Sequence, residues 1–186
     1  MIRSELCEVA TIAVPTFNSH RRNGNLPFSI EQSEAKDGTG KTWARFTRHD
    51  AMLLIAAQTL AAGQGVTWSE AAKILRENAI HTDSADYRGS PGVHCARFEY
   101  RTEGGEVPFM GKQFQTYRGN LSRIIASAEK TVEVHNRQSH FASDRIAIFS
   151  MISVNLSQAW QIAERRTAQL DIDIFSEGAV DPLADS

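Results

Sequence analysis

At 186 residues, 41% hydrophobic and 23% charged, the chain has the composition of an ordinary globular protein and room for one large domain or two small ones. No apolar run is long enough to span a bilayer, and Met1-Ile-Arg-Ser-Glu5 leads into no signal-peptide core, so a cytoplasmic setting is expected. The net charge of −2 does not announce a polyanion binder, and the cysteines, Cys7 and Cys95, match no zinc or disulfide framework.

The distribution of charge says more than its sum. Between Pro15 and Asp50 the bases Arg21, Arg22, Lys36, Lys41, Arg45 and Arg48 face four acids, whereas the last sixteen residues hold five acids and no base. The front is weakly basic and the back acidic, so any phosphate affinity must come from local clustering.

Taken in order, Ser4-Glu-Leu-Cys-Glu-Val-Ala10 predicts a short amphipathic helix with Ser4 as N-cap and Leu6, Val9 and Ala10 inward. A second short helix begins at Val14. Pro15 suits its first turn, where the missing N–H has no partner to lose, and Gly24 is its natural stop. At about 100° per residue, Val14 and Phe17 share one side of this helix. Thr16, Ser19, Arg22 and Asn23 cluster opposite, with Asn18 at the edge. A thin apolar seam beneath a face of Thr, Asn, Ser and Arg suits a DNA major groove, where short polar side chains and arginine reach base edges and phosphates.

Leu26-Pro-Phe28 supplies apolar anchors. Ile30–Ser33 and Thr42–Phe46 then predict a hairpin around the Gly-rich, basic tip Lys36–Lys41. Trp43 and Phe46 would root this wing, and Lys36, Lys41 and Arg45 would hold flanking phosphates. Ala35-Lys-Asp-Gly-Thr-Gly-Lys-Thr42 fits a relaxed phosphate-loop pattern. It lacks the buried strand before and the helix after that such a loop needs.

Thr47-Arg-His-Asp50 is a capping-box-like start for a helix to about Ala62, with Leu53, Leu54, Ala57, Leu60 and Ala61 buried. Thr67-Trp-Ser-Glu70 opens another to about Asn78, with Ala71, Ile74 and Leu75 inward. The polar stretch 80–92 is expected to be a linker between domains. Beyond it the pattern predicts a strand at Val93–Arg101, a turn at Thr102–Glu106 and a return strand at Val107–Met110. A helix over Asn120–Glu129, a buried strand at Ile146–Val154 and a helix over Asn155–Leu170 follow. In that last helix Leu156, Ala159, Trp160, Ala163 and Thr167 share a face. His81, Asp83, Asp86, His94 and Cys95 form a loose ligand-type group without metal-site spacing, and no catalytic constellation is legible.

The order of these elements resembles the MerR-like winged helix-turn-helix DNA-binding domain over residues 3–78. The likeness is carried by Thr16-Phe-Asn-Ser-His-Arg-Arg-Asn-Gly-Asn-Leu-Pro27, Trp43-Ala-Arg-Phe-Thr47, Asp50, Leu54, Leu60, Gly65-Val66 and Ala71-Ala72. An α+β chain is expected: the resemblance implies a winged helix-turn-helix at 1–79, and the pattern beyond it predicts a linker at 80–92, a smaller α/β dimerisation or sensing domain at 93–175, and a flexible acidic tail at 176–186. The expected function is a cytoplasmic transcriptional regulator, not an enzyme, using no cofactor or metal. Its partner would be double-stranded DNA, held through Thr16, Asn18, Ser19, His20, Arg21 and Arg22 with the wing's Lys36, Lys41 and Arg45. A single short helix buries too little for tight specific binding, so a homodimer is expected, joined through the Trp160 helix and the Ile146–Val154 strand. A small-molecule or protein effector of the back half is left open. An excisionase-like DNA-bending protein and a nucleotide-binding enzyme working through Ala35–Thr42 are the alternatives.

Overall fold

The computed structural model describes residues 1–30, 34–36, 42–78, 87, 92–102, 113–141 and 144–172. Two short helices, α1 (Arg3–Ala10) and α2 (Val14–Arg22), precede the antiparallel pair β1 (Glu34–Lys36) and β2 (Thr42–Ala44). Helices α3 (Arg48–Gly63) and α4 (Trp68–Asn78) follow. The rest runs β3 (Val93–Thr102), β4 (Gln113–Asn120), α5 (Leu121–Gln138), β5 (Ile146–Asn155) and α6 (Leu156–Gln169). The fold is α+β, with a three-stranded antiparallel sheet in the order β4-β3-β5.

Local signals set most helix ends. Helix α1 starts two residues earlier than expected, its N-cap at Ile2 instead of Ser4. Ile2 has no side-chain oxygen to offer, and the Glu5 carboxylate takes over by accepting the Ile2 N–H at 2.7 Å. Thr47 and Asp50 form a reciprocal capping box at the head of α3, and Thr67 and Glu70 form one at α4. Thr11 closes α1 in the left-handed region, φ 57°, where a β-branched residue is rare. There its amide donates to Glu8 O while Ile12 N–H donates to Cys7 O, and its own carbonyl accepts from Gln58 Nε2 at 3.3 Å.

Helix α3 is the centre of the molecule. Ala51 to Ala57 are all buried, a wider band than the predicted stripe, because α1, α4, α6 and β5 enclose the helix from different sides. One hydrophobic core therefore runs from Leu6 and Phe17 through α3 to Cys95, Val154, Trp160 and Ala163. The division expected at 80–92 does not coincide with a break in this core. Tyr87, inside that stretch, is 1% exposed. It stacks on Trp160 at 5.5 Å and accepts a hydrogen bond from Arg118 Nη2 at 2.7 Å.

Consecutive residues of β3 are buried on opposite faces of the sheet. Cys95 joins the central core, and Ala96, Phe98 and Tyr100 meet Ile124, Ala128 and Ile146 beneath α5. The strand returning from β3 lies at Gln113–Asn120. The expected return at Val107–Met110, the turn before it (from Glu103 on) and the tail 176–186 lie outside the described residues. Helix α5 begins where expected, its N-cap Asn120 accepting from Ser122 N–H, but runs on past the expected end at Glu129 to Gln138.

Two expectations for the back half are corrected. The apolar run Ile146–Val154 is a strand but not a buried one. It forms an edge of the sheet, and Phe149 is 57% and Met151 39% exposed. The α6 face carrying Trp160 is spent on the chain's own core, with Trp160 1% exposed, so it presents nothing to a second copy. The predicted strand Ile30–Ser33 is likewise displaced: Ile30 packs against the core and pairing begins at Glu34, while 31–33 lie outside the described residues.

Candidate nucleic-acid interface

Helix α2 is attached by one side. Phe17 is its only fully buried residue, packed edge-on against Phe46 at 5.8 Å, with half-buried Val14 beside it on the core. Phe46 in turn packs against Phe28 at 6.1 Å, and its backbone exchanges two hydrogen bonds with Met1. The rest of α2 is free of apolar obligations, so Thr16, Ser19, Arg21, Arg22 and the C-cap Asn23 are all exposed. No acidic residue lies in the helix, and its last turn carries His20, Arg21 and Arg22. Cations there also complement the negative end of the helix dipole.

The C-terminus of α2 is clamped. Gly24 adopts φ 65°, and its amide donates to Arg21 O while Asn25 N–H donates to His20 O. This left-handed closure is open to glycine at little cost, which explains the residue at that position. Helix α4 holds the turn from outside: Trp68 Nε1 donates to Asn25 O at 2.8 Å, Ser69 Oγ to Asn25 Oδ1 at 3.2 Å, and Arg76 Nη1 to Gly24 O at 2.9 Å. The polar face is thus carried on a helix anchored to the core by Phe17 and held at its C-terminal end by α4.

The expected contact residues divide by role. Thr16, Ser19 and Arg22 stand together on the exposed side, and Arg21, exposed as well, lies in the last turn beyond Phe17, on the side of the apolar seam. Asn18 is half-buried, and its side-chain oxygen accepts from Arg3 Nη1 at 3.3 Å. Arg3 is exposed and is brought to the same side by the packing of α1 on α2. His20 is turned toward the protein, stacked on Trp68 with ring centroids 4.2 Å apart and planes 12° from parallel. Arg45 is exposed just after β2. The backbone of Lys36 lies in β1 opposite Thr42, and Lys41 lies outside the described residues. Lys36 and Thr42 are antiparallel neighbours, and Thr42 opens a strand, not the helix that a phosphate loop needs.

Partial burial against Trp68 lowers the His20 pKa below its usual 6.5. His20 is therefore neutral at physiological pH and offers a hydrogen bond, not a charge. Its stability contribution is complete above pH 6.5 and declines on acidification, because the unfolded chain takes up that proton first. An NMR titration should place its midpoint below 6.5, and Trp68→Ala should move it back up. A midpoint unchanged by Trp68→Ala would contradict the stacking as its cause.

Of the loose ligand-type group, His81, Asp83 and Asp86 lie outside the described residues. His94 and Cys95 are successive strand residues on opposite faces. Burial pushes the Cys95 thiol up to about 12, so it stays protonated where a metal would need thiolate. Among the described residues no helix is long and apolar enough to cross a membrane.

The sequence pattern missed Arg3, Trp68 and Arg76, which position or extend the α2 surface. Arg3 and Arg76 lie far from α2 in sequence and carry no local signal. Trp68 shows only as the residue after a helix cap. Comparison with protein-family models and with curated proteins returns no match to this chain.

Proposed function

We propose that the chain is a sequence-specific double-stranded DNA-binding transcriptional regulator. In this reading α2 lies in the major groove, the β1–β2 hairpin serves as a wing along the backbone, and the active species is a homodimer. The observation that supports it is the split character of α2: a single buried aromatic anchors it, and Thr16, Ser19, Arg21, Arg22 and Asn23 remain exposed on a helix clamped by α4. The resemblance of residues 3–78 to MerR-like winged helix-turn-helix domains supports the same docking mode. Thr16 and Ser19 suit base edges, and Arg21 and Arg22 suit phosphates or a guanine edge. Arg3 and Arg45 would extend the phosphate contacts on either side.

The test is selection from a randomised duplex pool, followed by titration of the enriched sequence and a scrambled one over a range of salt. The reading expects enrichment of one motif, bound roughly 10³-fold or more tightly than scrambled duplex. It also expects affinity to fall as salt rises. No enrichment, with no binding even at low ionic strength, overturns it.

A further inference from the structure

The outer edge of β5 pairs with no described strand, because the sheet order is β4-β3-β5. Its sequence, Ile146-Ala-Ile-Phe-Ser-Met-Ile-Ser-Val-Asn155, contains no charge and no proline over ten residues. Edge strands are ordinarily blunted by such residues, because their unmade backbone hydrogen bonds invite another strand. One guard is present: the register slips between Glu99 and Tyr100, leaving Phe149 as an extra residue without a partner on β3. From Ser150 to Asn155 the edge runs straight.

We infer that Ser150–Asn155 is the surface through which two copies of this chain pair, edge to edge and antiparallel, joining their sheets into one. A second copy is favoured because the strand is its own charge complement: identical neutral strands run antiparallel place no like charges opposite each other. The contact is isologous and closes on itself. Met151 faces the α5 side beside Phe98, and Phe149 lies on the other face beneath the Arg101 guanidinium, 3.2 Å from the ring centroid. Pairing at this edge draws the two exposed apolar side chains, one from each face, toward the interface.

The same edge is tied to the front of the molecule, where α2 packs on α1 and is clamped by α4. Strand β5 passes into α6 without an intervening residue, and Asn155 Oδ1 caps the helix by accepting from Gln158 N–H at 2.9 Å. Helix α6 then grips the front of the molecule. Arg166 Nη1 donates to Val9 O at the end of α1 at 2.9 Å, and Glu164 pairs with Arg48 at 3.3 Å. Two chains joined at β5 would therefore hold their α2 helices at a fixed separation, as a two-half-site duplex requires.

This inference rests on the homodimer reading but not on DNA binding, so it is tested without DNA. Sedimentation velocity of the full chain should give a dimer of the 20.6 kDa chain that dissociates on dilution. Met151→Glu should raise the dissociation constant about a hundredfold or more by setting two carboxylates near the two-fold axis. Mixing Met151→Glu with Met151→Lys should restore the dimer, and Val134→Glu, on exposed α5, should leave it intact. Circular dichroism checks that each variant is folded. A wild-type monomer at every concentration overturns the homodimer reading itself. A dimer that survives Met151→Glu, is equally lost with Val134→Glu, or is not restored by the charge-swapped mixture overturns β5 as its surface.

Discussion

Trp160→Ala is expected to lower stability by about 3–5 kcal/mol, among the largest single effects available in the chain. The indole is 1% exposed, stacked at 5.5 Å on Tyr87 with planes 16° apart, and lies 5.6 Å from the Arg48 guanidinium. It therefore joins α6, the start of α3 and the Tyr87 ring, which Arg118 holds from the other side. Truncation opens a cavity that these three cannot collapse to fill, since each is fixed elsewhere. For a chain of this length each kcal/mol shifts the midpoint by roughly 2–4 °C, so a fall of about 6–20 °C is expected. Calorimetry should show one transition moving as a whole, because the front and back share one core. Two transitions, with one unmoved, would show that the halves melt independently and contradict that account.

Arg21→Ala with Arg22→Ala is the corresponding test on the surface of α2. Both side chains are exposed, so the pair should cost little stability, within about 0.5 kcal/mol each. Binding should suffer far more. Each phosphate contact contributes about −0.9 to the slope of log affinity against log salt, so losing two should flatten that slope by about 1.8. If Arg22 instead reads a guanine, the slope falls by about half as much and discrimination at one base pair drops by about 1–3 kcal/mol. Thr16→Ala and Ser19→Ala, which carry no charge, should change selectivity and leave the slope alone. An unchanged slope and unchanged selectivity in the double-arginine variant would remove α2 as the DNA-contacting element.

The two effects report on different physics. Trp160 acts through dispersion and excluded water inside the protein, where salt has no leverage. The arginines act through a screened field outside it, where salt is the principal control. Measuring both variants for midpoint and for salt slope should give opposite patterns. That crossing of results separates a folding defect from a binding defect.

Much of the candidate site was legible in the sequence because its determinants are local. The two sides of α2 follow from a period of 3.6 applied to nine residues, and Gly24 marks the left-handed closure that ends it. Thr47 with Asp50, and Thr67 with Glu70, fix helix starts by hydrogen bonds spanning three residues. Such interactions are complete within one turn and need no knowledge of the rest of the chain. The edge β4 was not legible. Gln113-Phe-Gln-Thr-Tyr-Arg-Gly-Asn120 has too few apolar residues to declare a strand, and it becomes one by pairing along β3.

By itself, then, the sequence determined where α2, α3, α4 and α6 lie and which side of α2 is polar. Only the tertiary structure decided that α3 is enclosed all round, that Trp160 belongs to the chain's own core, that Trp68 and Arg76 clamp the end of α2, and that the outer edge of β5 pairs with no described strand. Those outcomes depend on contacts between segments far apart in the chain. Such contacts obey shape and buried area and leave no periodic mark on either partner.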